Sequence, residues 1–126
     1  MKVAIVGSRG LVVDNIGDYL PDGTDCIVSG GAKGIDTCAA EYAKSYNLRL
    51  IEFLPDYKKH GRRAPIIRNA DIVNECDYLL AFWDGKSRGA KNSIDNAKKQ
   101  HKPTKVYIMK QTTDNISFVS RLKNLF

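Results

Sequence analysis

A cluster of glycines lies in the stretch CIVSGGAKGID, where an apolar run gives way to a helical pattern. Gly30, Gly31 and Gly34 fall within five residues, shortly after the β-branched run that ends at Val28. Glycine lets the backbone turn sharply and leaves no Cβ in the way of a ligand. The helix that follows begins with unpaired N–H groups and partial positive charge. The spacing therefore predicts a loop that binds a phosphate or a carboxylate on its backbone amides.

Polar side chains beside these glycines suit the same ligand. Ser29 supplies a hydroxyl group and Lys33 supplies a positive charge. Asp36 suits a hydrogen bond to a ribose hydroxyl, and it equally suits the dipole at the start of the helix. Both interpretations of Asp36 stay open at this point.

Other candidate residues for nucleotide binding also follow apolar runs. They are Gly7, Ser8 and Arg9 after the first run, and Trp83, Asp84, Gly85, Ser87 and Gly89 after a later one. The triplet GKS at positions 85–87 is part of a phosphate-binding P-loop pattern, but that pattern needs a glycine where Leu80 stands. Ordinary ATP or GTP hydrolysis is therefore excluded on the motif.

Arg68 and Asn69, in APIIRNADIV, form the last candidate group. A guanidinium group binds phosphate through two parallel hydrogen bonds, which makes Arg68 a candidate phosphate ligand. The basic loop DYKKHGRR precedes it. Tyr57 or Trp83 is suited to stack on a base, and packing at the edge of the core is the alternative for both.

The composition limits the classes of protein that the chain can represent. It has 126 residues, of which 43% are hydrophobic, and this suits one domain over residues 1–126. The 20 Lys and Arg against 14 Asp and Glu give a net charge of +6, which suits a phosphate-bearing partner or solubility alone. No apolar run is long enough for a membrane span or a signal peptide, so we expect a cytoplasmic protein. Three scattered cysteines predict neither a disulfide framework nor a metal site.

Strand and helix patterns alternate along the chain. The predicted strands cover residues 2–6, 25–29, 48–53, 78–83 and 105–109. Helical spacing of apolar residues predicts helices around residues 12–20, 35–43, 65–75 and 90–97, and a further helix in the tail at 110–126. Such alternation predicts an α/β fold: a doubly wound sheet of about five parallel strands with helices on both faces. In such sheets the ligand lies at the carboxyl ends of the strands, where the candidate residues stand.

Five motifs in this order resemble the SLOG superfamily, and most closely its YspA-like branch. They are GSRG, SGGAKGID, PDY, APIIRN and FWDGKSRGAKNSI. The resemblance runs from about Lys2 to Tyr107. It implies a Rossmann-like fold that binds a nucleotide or a nucleotide-derived ligand.

Two branches of the superfamily supply the alternatives. SGGAKGID and RN also resemble DprA proteins, which bind single-stranded DNA. The Lonely Guy phosphoribohydrolases cleave the base from a nucleoside 5′-monophosphate, and the resemblance to them places their arginine at Arg68 and their glutamate at Ser93. A serine cannot supply the negative charge that stabilises an oxocarbenium-like ribose. The resemblance therefore implies phosphate binding without that catalytic pair, with Asp36 or Asp84 as the carboxylates that remain.

The prediction is a small nucleotide-binding protein, a ligand sensor or effector-associated domain, with no cofactor of its own. The alternatives are an N-glycosidic hydrolase acting on a nucleoside monophosphate or an ADP-ribose-like ligand, and a DprA-like module for single-stranded nucleic acid. The resemblance also implies a homodimer. The apolar tail residues must be buried on the sheet or on a partner; they are Ile116, Phe118, Val119, Leu122, Leu125 and Phe126.

Overall fold

A five-stranded, all-parallel sheet forms the centre of the molecule. The computed structural model describes residues 1–31 and 33–109. The strands are β1 (Lys2–Gly7), β2 (Cys26–Ser29), β3 (Arg49–Glu52), β4 (Tyr78–Trp83) and β5 (Thr104–Ile108), in the order β3-β2-β1-β4-β5. The helices are α1 (Ile35–Ser45), α2 (Tyr57–His60), α3 (Ala64–Glu75) and α4 (Arg88–Lys99). The predicted Rossmann-like α/β fold is confirmed.

Alternate residues of β1 pack into two separate layers. Val3 and Ile5 lie in the core under α1, whereas Ala4 and Val6 lie in the core under α3 and α4. Because both faces of the strand are covered, its sequence is a continuous apolar run rather than an alternating one. The helices therefore cover both faces of the sheet, as the pattern predicts.

The first predicted helix, around residues 12–20, is wrong. The structure has only one 3-10 turn there, Ile16–Tyr19. In the predicted apolar stripe only Ile16 is buried, and the other members, Val12, Tyr19 and Leu20, are partly buried. The neighbouring Val13, which the stripe did not include, is buried. Gly17 lies in the middle of the predicted helix and Pro21 follows its end, and both residues disfavour a continuous helix. The apolar spacing thus identified one buried residue, Ile16, but not the backbone conformation of the segment.

The segment predicted as a polar loop after β3 contains the short helix α2. Asp56 caps it, because its Oδ1 accepts a hydrogen bond of 3.1 Å from the Lys59 backbone N–H. A 3-10 turn, Gly61–Arg63, then leads directly into α3. The sequence signal for this helix was the aspartate before it, a preferred residue at a helix start.

The bounds of the five strands and of α3 agree with the prediction to within one residue at each end.

Lys102 holds the carboxyl end of α3. Its Nζ donates hydrogen bonds to the backbone carbonyls of Val73, Asn74 and Cys76, at 2.6, 3.0 and 2.8 Å. A cation at this position also complements the helix dipole. The position of α3 on the sheet, and with it that of Arg68, is therefore fixed at the far end of the helix.

The predicted tail helix at 110–126, with its apolar stripe of Ile116, Val119 and Leu122, lies outside the described residues. The homodimer therefore stays a prediction. None of the helices within residues 1–31 and 33–109 has the length and hydropathy that a membrane span requires.

Cys26 and Cys76 are buried in the core, and burial raises the pKa of both thiols, as expected for small hydrophobic residues.

Candidate functional site

The carboxyl ends of β1 and β4 mark the point where the sheet changes direction. From β1 the chain continues outward to β2 and β3 on one side, and later to β4 and β5 on the other. The loops after β1 and β4 therefore diverge and leave a crevice between them, which is the usual ligand position in such sheets. The sequence predicted a site at the strand ends, and the strand order specifies which ends meet.

A cavity of about 440 Å³ opens at this point, and we call it the switch-point cavity. The loop after β1, α1, α3, the loop after β4 and α4 all contribute to its walls. Its lining contains nine of the predicted residues, which are Gly7, Ser8, Arg9, Asp36, Arg68, Asn69, Asp84, Ser87 and Gly89. The other lining residues are Val6, Gly10, Pro65, Ile72, Ala90 and Ser93.

A second cavity of about 390 Å³ adjoins the first at the glycine loop, and we call it the glycine-turn cavity. Its lining comprises Arg9, Gly30, Gly31, Lys33, Pro55, Tyr57 and Arg68. Arg9 and Arg68 line both cavities, so two arginine residues stand where the cavities meet. We call the two cavities together the cleft.

Arg68 is held in place by two hydrogen bonds. Its Nη1 donates to the Gly30 carbonyl at 2.6 Å, and its Nε donates to Asn69 Oδ1 at 3.0 Å. The first bond joins α3 on one face of the sheet to the loop after β2. Fixing the guanidinium in advance lowers the entropy that a ligand would lose on ordering it. Asn69 therefore acts by positioning Arg68.

Gly30 is required by the approach of Arg68. A Cβ at this position would lie 2.7 Å from Arg68 Nη1 and 3.1 Å from Asp36 Oδ2. Contacts this short do not occur, but the guanidinium is the end of a flexible side chain and can move away. A small side chain at Gly30 would therefore displace Arg68 without disturbing the backbone.

Substitution of Gly30 by alanine is expected to weaken nucleotide binding about tenfold while the protein stays folded. The reason is that the displaced Arg68 loses its hydrogen bond and its position, which corresponds to one charge-assisted hydrogen bond. Isothermal titration calorimetry of the variant measures the change. The control is the double variant G30A/R68A, which should bind no more weakly than R68A alone if Gly30 acts through Arg68. Independent, additive losses would contradict this role of Gly30.

Gly31 is required by its backbone conformation and by the neighbouring Leu54 side chain, and not by an anion as the sequence predicted. Its φ is +68°, and a Cβ there would press against the Leu54 side chain and lie 3.1 Å from Glu52 Oε2. A side chain at Gly31 would therefore not occupy the place of an anion, as the sequence reasoning assumed. A valine here would instead strain the backbone and collide with Leu54, so this substitution does not test the cleft.

Asp84 organises the loop after β4. Its Oδ1 accepts hydrogen bonds from the backbone N–H groups of Ser87 and Lys86, at 2.7 and 2.8 Å. These bonds lower the pKa of Asp84 below its ordinary value of 3.8. The buried Ser8 joins this loop to the loop after β1, because its Oγ accepts the Asp84 backbone N–H at 3.1 Å. The carboxylate is therefore ionised at neutral pH and held by its own loop.

Three predicted residues do not line either cavity. Trp83 is half-buried against the core, and its Nε1 donates to the Ser87 carbonyl at 2.9 Å, so packing at the core edge describes it better than an open stacking surface. Gly85 has a φ of +80° and makes the turn after β4. Ser29 is fully buried, and within the described residues its hydroxyl has no hydrogen-bond partner.

Sequence reasoning missed several lining residues that helical spacing could have identified. Pro65 and Ile72 recur on the same face of α3 as the predicted residues Arg68 and Asn69. Ser93 follows Gly89 by one turn of α4, and its Oγ donates to the Gly89 carbonyl at 3.4 Å. Counting three or four residues along each helix from its predicted site residues would have identified these positions.

A larger groove of about 630 Å³ lies beside α1 and the Ile16–Tyr19 turn. It shares no lining residue with the cleft, and its lining includes the carboxylates of Asp14, Asp18 and Glu41. No lysine or arginine lines it. Because these charges would repel phosphate, its size does not make it the better candidate for an anionic ligand.

Comparison with protein families gives one match. Residues 1–60 match the model of the YspA, cpYpsA-related SLOG family (YAcAr). The amino-terminal part of the chain is therefore similar to a SLOG family, as its motifs predict. The searches of curated proteins and of solved structures gave no match.

The SLOG match covers the glycine loop and the loop after β1, and it ends at the last residue of α2. The match to a SLOG family points to a role in binding or processing a nucleotide. Arg68, Asp84 and Ser93 lie beyond the matched residues. Their part in the site rests on the geometry of the cleft alone.

Proposed function

We propose that this protein binds a nucleotide or a nucleotide-derived ligand in the cleft, as a ligand sensor or an effector-associated domain. The observation that carries the proposal is the meeting of two cavities at Arg9 and Arg68. Phosphate groups pair with guanidinium groups through strong, charge-assisted hydrogen bonds. The volumes of about 440 and 390 Å³ lie within the range of small-molecule sites.

A thermal-shift and calorimetry panel tests this proposal. The protein is titrated with the mono- and diphosphates of adenosine, guanosine, cytidine and uridine, and with NAD and ADP-ribose. At a ligand concentration a hundred times the dissociation constant, binding to the folded state alone should raise the melting temperature by about 10 °C. Mass spectrometry of the purified protein, before and after denaturation, identifies any ligand that is retained from the cell. Failure of every nucleotide to bind would contradict the proposal.

An N-glycosidic hydrolase is the second candidate, and one observation favours it. Asp36 and Asp84 both line the switch-point cavity, and Asp84 is held ionised by its loop. A carboxylate beside a ribose would stabilise the positive charge that develops as the glycosidic bond breaks. One observation argues against the hydrolase. Ser93 occupies the position implied for the hydrolase glutamate, it is only 2% exposed, and a serine supplies no negative charge.

We expect the protein to release no free base from AMP or NAD at an ordinary enzyme rate, which is about one turnover per second or faster. The reason is that the Asp84 carboxylate already accepts two backbone hydrogen bonds on Oδ1. Chromatography of the reaction mixture measures base release, and the variant D84N is the control for any activity seen. Base release by the wild type that D84N abolishes would favour the hydrolase over the sensor.

A further inference from the structure

The two cavities of the cleft differ in the charge of their linings. Among the residues that the structure describes, the lining of the glycine-turn cavity has three cationic residues, Arg9, Lys33 and Arg68, and no carboxylate. Glu52 approaches Gly31, and the Asp36 carboxylate approaches Gly30, but neither residue lines the cavity. The positive charge of the glycine-turn cavity is therefore not compensated by its own lining.

The switch-point cavity has a mixed lining instead. It shares the two arginines, but it adds the carboxylates of Asp36 and Asp84 and three serine hydroxyls. An ionised carboxylate repels a phosphate and accepts hydrogen bonds from hydroxyl groups. The lining therefore suits a sugar better than an anion.

Further cations continue from the mouth of the glycine-turn cavity. Tyr57, the first residue of α2, lines the cavity. The basic residues that follow it are Lys58, Lys59, Arg62 and Arg63, and all four are exposed. Among the described residues, none of the four is in a salt bridge. The region around this cavity thus carries more positive charge than one phosphate group would neutralise.

We infer that the ligand carries at least two phosphate groups, which the glycine-turn cavity binds, while its sugar occupies the switch-point cavity. This inference rests on the proposed function and makes it more specific. A phosphate at Arg9 and Arg68 lies at the junction of the cavities, and a second phosphate then extends toward Lys33. The ligand class is therefore a nucleoside diphosphate or a compound that contains one, and not a nucleoside monophosphate.

Calorimetric titration with AMP, ADP and inorganic pyrophosphate tests the inference. The buffer contains EDTA, so that no divalent cation neutralises the second phosphate. We expect ADP to bind at least about ten times more tightly than AMP, the effect of one further charge-assisted hydrogen bond, and pyrophosphate to compete with ADP. The same ratio should hold for the guanine, cytosine and uracil pairs, because the inference concerns the phosphates and not the base.

The variant K33Q locates the second phosphate. Lys33 is exposed and lines only the glycine-turn cavity, so the substitution should leave the fold unchanged. It should weaken ADP binding about tenfold and change AMP binding by less than about twofold. The matched control is K99Q, at the exposed end of α4, which removes the same charge away from the cleft and should change neither.

The outcomes separate this inference from the proposed function. Equal affinities for AMP and ADP, or a K33Q variant that weakens both equally, would overturn the inference and leave the nucleotide-binding proposal standing. A single-stranded oligonucleotide that binds more tightly than any nucleotide would also overturn it, since the phosphates would then come from a polymer backbone. Failure of all these nucleotides to bind would overturn both.

Discussion

Replacement of Arg68 by alanine is expected to cost about 1.5–3 kcal/mol of nucleotide binding free energy, which is the range for charge-assisted hydrogen bonds. Arg68 lines both cavities and is the residue that joins α3 to the glycine loop through the Gly30 carbonyl. Its removal would therefore take away a proposed phosphate ligand and the bond between α3 and the glycine loop. Calorimetry with ADP gives the change in affinity directly.

The control for this experiment is R49A. Arg49 is an exposed arginine at the amino end of β3, opposite the edge of the sheet where the cleft lies. The variant removes the same charge from the chain, so any general electrostatic attraction falls equally in both proteins. If R68A and R49A bind ADP with the same affinity, Arg68 has no specific role in binding.

Substitution of Gly34 by alanine is expected to destabilise the fold by about 3 kcal/mol. The residue has a φ of +77°, and a Cβ there would lie 2.6 Å from the Arg9 carbonyl oxygen and 2.8 Å from that of Leu11. Backbone atoms cannot move aside as a side chain can, so overpacking adds to the strain of a backbone conformation, φ +77° and ψ −119°, that residues with a Cβ rarely adopt. Urea denaturation measures the loss.

Gly23 provides the matched control for Gly34. It has a similar φ of +87°, but nothing lies within 4 Å of the position of its Cβ. The variant G23A therefore carries the conformational strain alone, about 1 kcal/mol. If G34A and G23A lost the same stability, the close contact between the Gly34 backbone and the Arg9–Leu11 segment would be unimportant for folding.

The positions of the site residues along the strands could be predicted from the sequence. Gly7, Gly30 and Asp84 each follow an apolar run, and the carboxyl ends of parallel strands lie at one edge of a sheet. The charges of Arg9, Lys33 and Arg68 also predicted a phosphate-bearing ligand. These inferences need only the location of strand ends and the chemistry of the side chains.

The directions of individual side chains could not be predicted in the same way. Gly31 looked like part of an anion cradle, but its Cβ position faces Leu54, because the loop turns through a positive φ there. Trp83 was a candidate to stack on a base, but it is the last residue of β4 and is half-buried against the core. The division of the cleft into two cavities depends on the strand order and on the Arg68–Gly30 hydrogen bond, which no local pattern encodes.

The hydrogen bond between Arg68 and Gly30 also joins two parts of the chain, of which only the part that contains Gly30 matches the family model. Apart from Arg68, every residue that lines the glycine-turn cavity falls within the 60 residues that match the family model. The opposite wall of the switch-point cavity comes from α3, α4 and the loop after β4, all of which lie after that match. Under the proposed binding mode, substitutions in this wall, other than at Arg68 and Asn69, are expected to change which sugar or base is accepted and to leave the phosphate contacts unchanged. Under the proposed binding mode, ligand selectivity and phosphate affinity could therefore be changed independently, with Arg68 as the residue that both share.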